Sequence, residues 1–297
     1  MSQFSLQGVY PPIPTPFDAS DEVNLHALRS NVSRWNETGL SGLVALGSSG
    51  EFQHLAGDEP MRILETIRGV LAPGKYLVAG TGSPSTASTI RRTRRAAAAG
   101  ADAVLVIPPH YFRARMGTRE LEEHYVQVAE HSPVPVILYN MPSIFGIELG
   151  PELACKLSHH PNIVGLKDGS GNIAQLARCV ADSAGDFAVM TGSGGDLLPA
   201  LLMGCVGGVM ALANVAPDEC VKLYRMAGEG RWEEAAKLQH RLLAVDTAMT
   251  TRHGIPGLKA ALDLLGYYGG NPRAPLLPAG GDEKREIENI LKAAGLL

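Results

Sequence analysis

Among the eight lysines of the chain, one stands where an amine could do chemistry. Lys156, Lys222, Lys237, Lys259, Lys284 and Lys292 fall in helix-like stretches, where a solvated ammonium is expected. Lys75 precedes an apolar run. Lys167 instead ends one, Asn162-Ile-Val-Gly-Leu-Lys167. An amine attacks a ketone only when neutral, and burial among apolar neighbours favours the neutral form. Lys167 is therefore a candidate Schiff-base nucleophile, although a rim lysine paired with Asp168 or a glutamate fits the same pattern.

Two further groups could serve such a reaction. Tyr139 ends the preceding apolar run. A phenol beside an ammonium can give and take the protons that carbinolamine formation and dehydration require. The structural alternative is a packed ring with its hydroxyl tied off. Gly47-Ser48-Ser49-Gly50-Glu51 follows the second run. Its two glycines permit a tight turn, leaving the Ser48 and Ser49 amides and hydroxyls to hold a carboxylate. An ordinary loop would carry the same residues, and Glu51 suits fixing the loop better than acid–base work.

Eight short apolar runs must position these groups: Val9–Pro14, Gly42–Leu46, Tyr76–Gly80, Ala103–Ile107, Val134–Tyr139, Ile163–Lys167, Phe187–Thr191 and Gly207–Ala211. Most are solidly apolar rather than alternating, which suits parallel strands buried on both faces. Helix-like stretches separate them, at Leu25–Glu37, Glu59–Leu71, Thr86–Ala99, Thr118–Glu130, Pro151–Ser158, Ile173–Ser183 and Leu197–Met203. This is the pattern of a (β/α)₈ barrel. A doubly wound sheet should open its first strand into GxGxxG, and Val9–Pro14 is not followed by one. The expected barrel spans residues 1–217. Residues 218–297 read as a closing helix and a helical extension packed on it, at Cys220–Ala227, Trp232–Met249, Gly257–Leu265 and Glu283–Leu291.

Barrel enzymes place their chemistry at the C-terminal strand ends. Those ends here are Gly47–Glu51, Pro108-Pro109-His110-Tyr111, Tyr139-Asn140-Met141-Pro142, Lys167-Asp168-Gly169 and Gly192–Asp196. Gly192, Val209 and Ile144 complete the expected substrate lining. Composition narrows the function classes. With 45% hydrophobic and 19% charged residues the chain is globular, and its net charge of −4 includes no block of like charge. That gives no footprint for nucleic acid or an anionic membrane. No apolar stretch reaches the roughly 20 residues of a membrane span. MSQFSLQGVYPP lacks the features of a signal peptide, so a soluble, cytoplasmic protein is expected. Cys155, Cys179, Cys205 and Cys220 form no CxxC and read as free thiols. Neither His159-His160 nor His124/His131 makes a metal motif, so no metal is expected. Arg91, Arg92, Arg94 and Arg95 read as a solvated helix face.

Taken together, GSSGE, YNMP and GLKDGSG, each after its strand, resemble the dihydrodipicolinate synthase / N-acetylneuraminate lyase superfamily of class I aldolases. The likeness runs from Gly8 to Pro275. It implies Schiff-base formation with pyruvate by Lys167, proton shuttling by Tyr139 and carboxylate binding by Ser48 and Ser49, without cofactor or metal. It also implies a homotetramer, a dimer of tight dimers, in which Tyr111 reaches the neighbouring subunit's site. Gly207–Asn214, Leu238–Leu242, Gly254–Lys259 and Gly266–Gly270 through Pro275 are similar to the 4-hydroxy-2-oxoglutarate aldolase branch. That likeness implies cleavage of 4-hydroxy-2-oxoglutarate to pyruvate and glyoxylate. Dihydrodipicolinate synthases and 2-keto-3-deoxy sugar-acid aldolases or dehydratases are the alternatives. A barrel that binds a 2-oxo acid without turnover is the reading from another class.

The chain also departs from the family's pattern. Dihydrodipicolinate synthases usually carry an arginine two residues after YNxP-Ser, whereas Ile144 and Phe145 follow Ser143 here. An apolar pair cannot replace a bidentate guanidinium. The hydroxyoxoglutarate branch typically has a polar pair there, Ser-Asn in place of Ser48-Ser49, and serine in place of Gly169. An altered far end of the pocket is therefore expected. As for the shuttle, Tyr139→Phe should lower steady-state turnover by about 10²–10⁴-fold, the range of a lost acid–base group. An unchanged rate would remove the phenol from the mechanism.

Overall fold

Short runs rich in Val, Leu, Ile and Ala pair in parallel and are buried on both sides, because each of their faces meets apolar side chains. The computed structural model describes residues 4–297, so Met1–Gln3 of the expected barrel segment lie outside the described residues. Its strands are β1 (Gly8–Tyr10), β2 (Gly42–Ala45), β3 (Tyr76–Gly80), β4 (Ala103–Val106), β5 (Val136–Asn140), β6 (Ile163–Asp168), β7 (Ala188–Thr191) and β8 (Gly207–Val209). They form one parallel sheet in the order β1-β8-β7-β6-β5-β4-β3-β2. The ring closes between β1 and β2 through Ile13 N to Val44 O, at 2.9 Å, and the Pro12–Val44 bridge. Pro11, Pro12 and Pro14 have no N–H to donate, so β1 is shorter than its apolar run. The architecture is a (β/α)₈ barrel.

The helices are α1 (Leu25–Asn36), α2 (Glu59–Arg68), α3 (Thr86–Ala98), α4 (Thr118–His131), α5 (Pro142–Phe145), α6 (Pro151–Leu157), α7 (Ile173–Asp182), α8 (Leu197–Leu202), α9 (Leu212–Val215), α10 (Pro217–Gly228), α11 (Trp232–Thr247), α12 (Gly254–Leu264) and α13 (Gly281–Ala293). Asn24, Ser85 and Asn172 cap α1, α3 and α7 by accepting from backbone amides. The sequence pattern did not anticipate α5 and α9, single turns at the barrel mouth, or the π-helical turn Ala248–Arg252 after α11. α10 packs against β1 and α8 and closes the ring of helices.

Alternation along the strands divides the apolar residues into two layers. Leu43, Leu77, Val104, Leu138 and Val189 face the helices, while Tyr10, Val44, Val78, Leu105, Ile137, Met190 and Val209 fill the lumen. One irregularity sets the site. Val136 pairs with Ile163 but Ile137 pairs with Gly165, so Val164 is an extra residue in β6. Beyond this bulge Lys167 lies opposite Tyr139 and faces the lumen as Tyr139 does. A bulge re-aims the side chains that follow it.

The helices also bury one of the histidines considered above. His124 of α4 shares a 2.9 Å hydrogen bond with Thr86 of α3, and burial pushes its pKa down to about 4. A histidine depressed below its unfolded value contributes stability that is full above that value and is lost as pH falls through the folded one. The wild type should therefore lose on the order of 2 kcal/mol more stability than His124→Gln between about pH 7 and about pH 5. Urea unfolding at both pH values checks this, and parallel losses would reject it.

Candidate active site

The β5–β6 ladder places Tyr139 and Lys167 side by side at the strand ends. Both are buried, with 4% and 5% of their surface exposed. The Lys167 Nζ lies 3.8 Å from the centroid of the Tyr139 ring, a cation–π geometry. The edge of that ring meets Phe145 of α5, at 5.5 Å between centroids, and Phe145 in turn packs on His110. The neighbouring Asp168 is not the partner of Lys167. Its carboxylate accepts from Asn140 Nδ2 (2.8 Å), Gln175 Nε2 (3.1 Å), Ser170 N (2.7 Å) and Ser170 Oγ (2.5 Å). Gly192 after β7 closes the other side of the lysine. A Cβ there would stand 2.8 Å from Lys167 Cε and 2.9 Å from Gly169 Cα, so only glycine leaves the lysine its place.

The Ser48-Ser49 loop lies at the end of β2, and the Ser48 hydroxyl is buried with no hydrogen-bond partner among the described residues. A hydroxyl held so is a donor awaiting an acceptor. The expected role of the glycines is only half right. The left-handed residues are Leu46 (φ 58°) and Glu51 (φ 54°), which flank the turn. Gly50 is needed because a Cβ would crowd Ile13 O at 3.2 Å. A Cβ on Gly47 would meet only Val44, at 3.9 Å, so Gly47 leaves open space instead of making the turn tight.

Glu51 holds this loop, as the sequence suggested, but through a partner that the sequence reading misassigned. Lys259 of α12 is not a solvated helix lysine. It is fully buried, and its Nζ is 2.6 Å from Glu51 Oε1, 3.0 Å from Asn271 O and 4.5 Å from the Phe17 ring centroid. Burial pushes its pKa below the ordinary value while Glu51 opposes that shift. Glu51 Oε2 accepts from Arg273 N (2.8 Å) and pairs with His54 Nδ1 (3.2 Å). The Arg273 guanidinium grips both oxygens of Glu59, at 2.8 and 2.9 Å. The C-terminal segment is thus wired into the serine loop. Lys75, by contrast, donates to Thr38 O and Leu40 O on the opposite, N-terminal face.

The Dihydrodipicolinate synthetase family model matches residues 5–294. The chain belongs to this family. It is 37% identical over 286 residues to a 4-hydroxy-tetrahydrodipicolinate synthase from Methanothrix thermoacetophila, covering 96% of each chain. It is also 34% identical to a protein described as a probable mitochondrial 4-hydroxy-2-oxoglutarate aldolase from Emericella nidulans, covering 95% of this chain and 92% of that one. The crystal structure of a dihydrodipicolinate synthase from Thermotoga maritima superposes with a TM-score of 0.92 at 29% identity, over 98% of this chain and 99% of that chain. The protein is a carbon–carbon lyase of this family.

The remaining expected residues are placed differently. Ser48, Phe52, His110, Ile144, Phe145, Ile255 and Leu276 line a cavity of about 320 Å³. Ile144 is 55% exposed over it, and Val209 lies deeper in the lumen. A larger hollow of about 530 Å³, lined by Phe4, Gln7, Asp186 and Val206, lies at the N-terminal strand ends. It is remote from the lysine. Tyr111 is 73% exposed, its ring perpendicular to that of the exposed Phe112 at 5.0 Å between centroids. Within one chain it does not join the site. Sequence reasoning missed Lys259, Gln239 and Asp246, three polar residues in helical stretches that only the packing reveals as buried. Lys259→Met should cost about 3–5 kcal/mol in urea unfolding, because it leaves the Glu51 carboxylate buried and unpaired. Adding Glu51→Gln should recover part of that loss, and equal stability of the single and double variants would refute the pairing.

Proposed function

We propose that the protein is a class I lyase in which Lys167 forms an imine with the keto carbon of pyruvate or a pyruvate-derived 2-oxo acid. The observation that carries this reading is the Lys167 amine, buried 3.8 Å from the Tyr139 ring centroid; the Ser48 hydroxyl, buried without a partner among the described residues, stands at the same C-terminal end of the barrel. The Lys167 Nζ attacks C2, the carbinolamine loses water, and the protonated imine draws electrons from C3. In cleavage the C3–C4 bond breaks to an enamine and an aldehyde, and the enamine is then protonated at C3. In condensation the enamine C3 attacks the aldehyde. Tyr139 carries the protons, while Ser48 and Ser49 hold the carboxylate. The imine supplies the electron sink, so neither metal nor organic cofactor is required.

The relatives described as 4-hydroxy-tetrahydrodipicolinate synthases support condensation of pyruvate with aspartate semialdehyde over the 4-hydroxy-2-oxoglutarate cleavage expected from the C-terminal segments. Cleavage of 4-hydroxy-2-oxoglutarate is the second reading; one departure speaks against the semialdehyde, although the hydroxyoxoglutarate branch typically has a polar pair at the same place. Ile144 and Phe145 stand where an arginine would grip the semialdehyde's carboxylate. In either case the exposed Tyr111 and Phe112 are the surface that a second copy of the chain would cover in the proposed homotetramer.

Incubation with pyruvate and sodium borohydride, followed by peptide mass analysis, tests the imine. The expected adduct is on Lys167. Lys167→Ala should show no adduct and no turnover with unchanged far-ultraviolet circular dichroism; retained turnover would reject the assignment. Steady-state assays with pyruvate plus aspartate semialdehyde, and with 4-hydroxy-2-oxoglutarate, separate the two substrate readings.

A further inference from the structure

The wall of the lysine pocket formed by Gly192 belongs to the glycine loop after β7, and that loop is held from the C-terminal segment. Gln239 and Asp246, two turns apart on α11, lie on its buried face. Gln239 Nε2 donates to Gly194 O at 2.8 Å, and its Oε1 accepts from Leu198 N at 3.1 Å. Asp246 Oδ1 accepts from Gly194 N at 3.2 Å and its Oδ2 from Gly195 N at 3.0 Å. A Cβ on Gly194 would lie 2.6 Å from Asp246 Oδ1 and 2.8 Å from Leu212 Cβ, so the loop must be glycine to approach the carboxylate this closely. Both the N–H and the C=O of Gly194 are thus gripped by one helix. Two residues earlier, Gly192 N donates to Asp168 O at 2.6 Å, and a Cβ on Gly192 would stand 2.8 Å from the Lys167 Cε methylene.

We propose that Asp246 is a positioning residue for the lysine chemistry: as a carboxylate it gathers the Gly194 and Gly195 amides and thereby seats Gly192 against Lys167. The inference rests on the imine reading above. The titratable groups facing Asp246 are Asp196 at the head of α8 and Cys220 on α10. Burial first, and Asp196 after it, push the Asp246 pKa up to about 6, while the two glycine amides oppose the shift. Those amides bind the ionised form. A proton on Asp246 replaces an acceptor with a donor, and one amide loses its partner. Positioning therefore fails as pH falls through about 6. Stability moves the other way. A carboxyl whose folded pKa is raised binds its proton more readily in the folded state, so its contribution to stability grows as pH falls from about 6 toward its unfolded value. Loss of activity on the acid side and loss of fold are thereby separable.

The test compares the wild type with the near-isosteric Asp246→Asn in steady-state kcat and KM across pH, alongside thermal melts and borohydride trapping with pyruvate. Displacement of a reacting group by about 1 Å costs on the order of 100-fold. Asp246→Asn should lower kcat by about 10–100-fold with pyruvate KM changed far less. The wild type should show an acid limb in kcat near pH 6, and the variant should lack that limb. Between about pH 7 and about pH 5 the melting temperature of the wild type should fall less than that of the variant, since both carry the His124 loss and only the wild type has the Asp246 gain. A variant with wild-type kcat and the same limb, in a background where the wild type traps pyruvate on Lys167, would overturn this proposal alone. No trapping in the wild type would overturn the imine reading, and this proposal with it. Should Asp246→Asn not fold, the wild-type profile decides: a limb without melting supports positioning, and no limb near pH 6 overturns it.

Discussion

An amine buried at the mouth of a barrel is left free for a substrate only if no carboxylate engages it. In this chain an aromatic ring takes the carboxylate's place. The Tyr139 face lies 3.8 Å from the Lys167 Nζ, and Asp168, adjacent in sequence, is turned to the helix side and bound by Asn140, Gln175 and Ser170. Strand alternation alone achieves this separation, because successive side chains point to opposite faces. The Val164 bulge then decides which of the two faces the lumen. Had β6 run without it, the amine would have pointed into the helix layer and the carboxylate into the pocket.

The serine loop solves a different problem. Non-glycine residues in the left-handed region cost of order 1–3 kcal/mol each and persist only where surrounding structure over-determines them. Leu46 and Glu51 are two such residues, at either end of the turn that presents Ser48. What holds Glu51 is a fully buried ion pair with Lys259, joined by the Arg273 amide and His54. A buried pair of this kind is weak evidence of net stability, since desolvating two charges offsets much of their attraction. Its effect is conformational. With Lys259 on one Glu51 oxygen and the Arg273 amide on the other, the loop is tied at its left-handed end, and Ser48 lines the cavity.

The C-terminal segment therefore acts on the site from two sides. α12 reaches the serine loop through Lys259, and α11 reaches the glycine loop through Gln239 and Asp246. The π turn at Ala248–Arg252 lies between those two helices, where a widened turn is a common mark of functional sites. Regarded only as packing on a barrel, this segment would be separate from the site; its buried polar side chains tie it to both loops.

Much of this was determined by the sequence alone. Eight apolar runs separated by helical stretches define the barrel, and the rule that chemistry sits at C-terminal strand ends singles out Lys167 from eight lysines. Tyr139 and the GSSGE turn follow from the same rule. These features are local, carried by composition and spacing within a few residues. Tertiary structure decided the rest. A one-residue bulge leaves no sign in an apolar run, because Ile163, Val164 and Leu166 suit either face. Lys259, Gln239 and Asp246 look like the solvated residues of any helix, and what distinguishes them is burial against loops 40 to 210 residues away. Whether a charge is solvated or buried depends on which element packs over it, and that is settled only when distant parts of the chain meet.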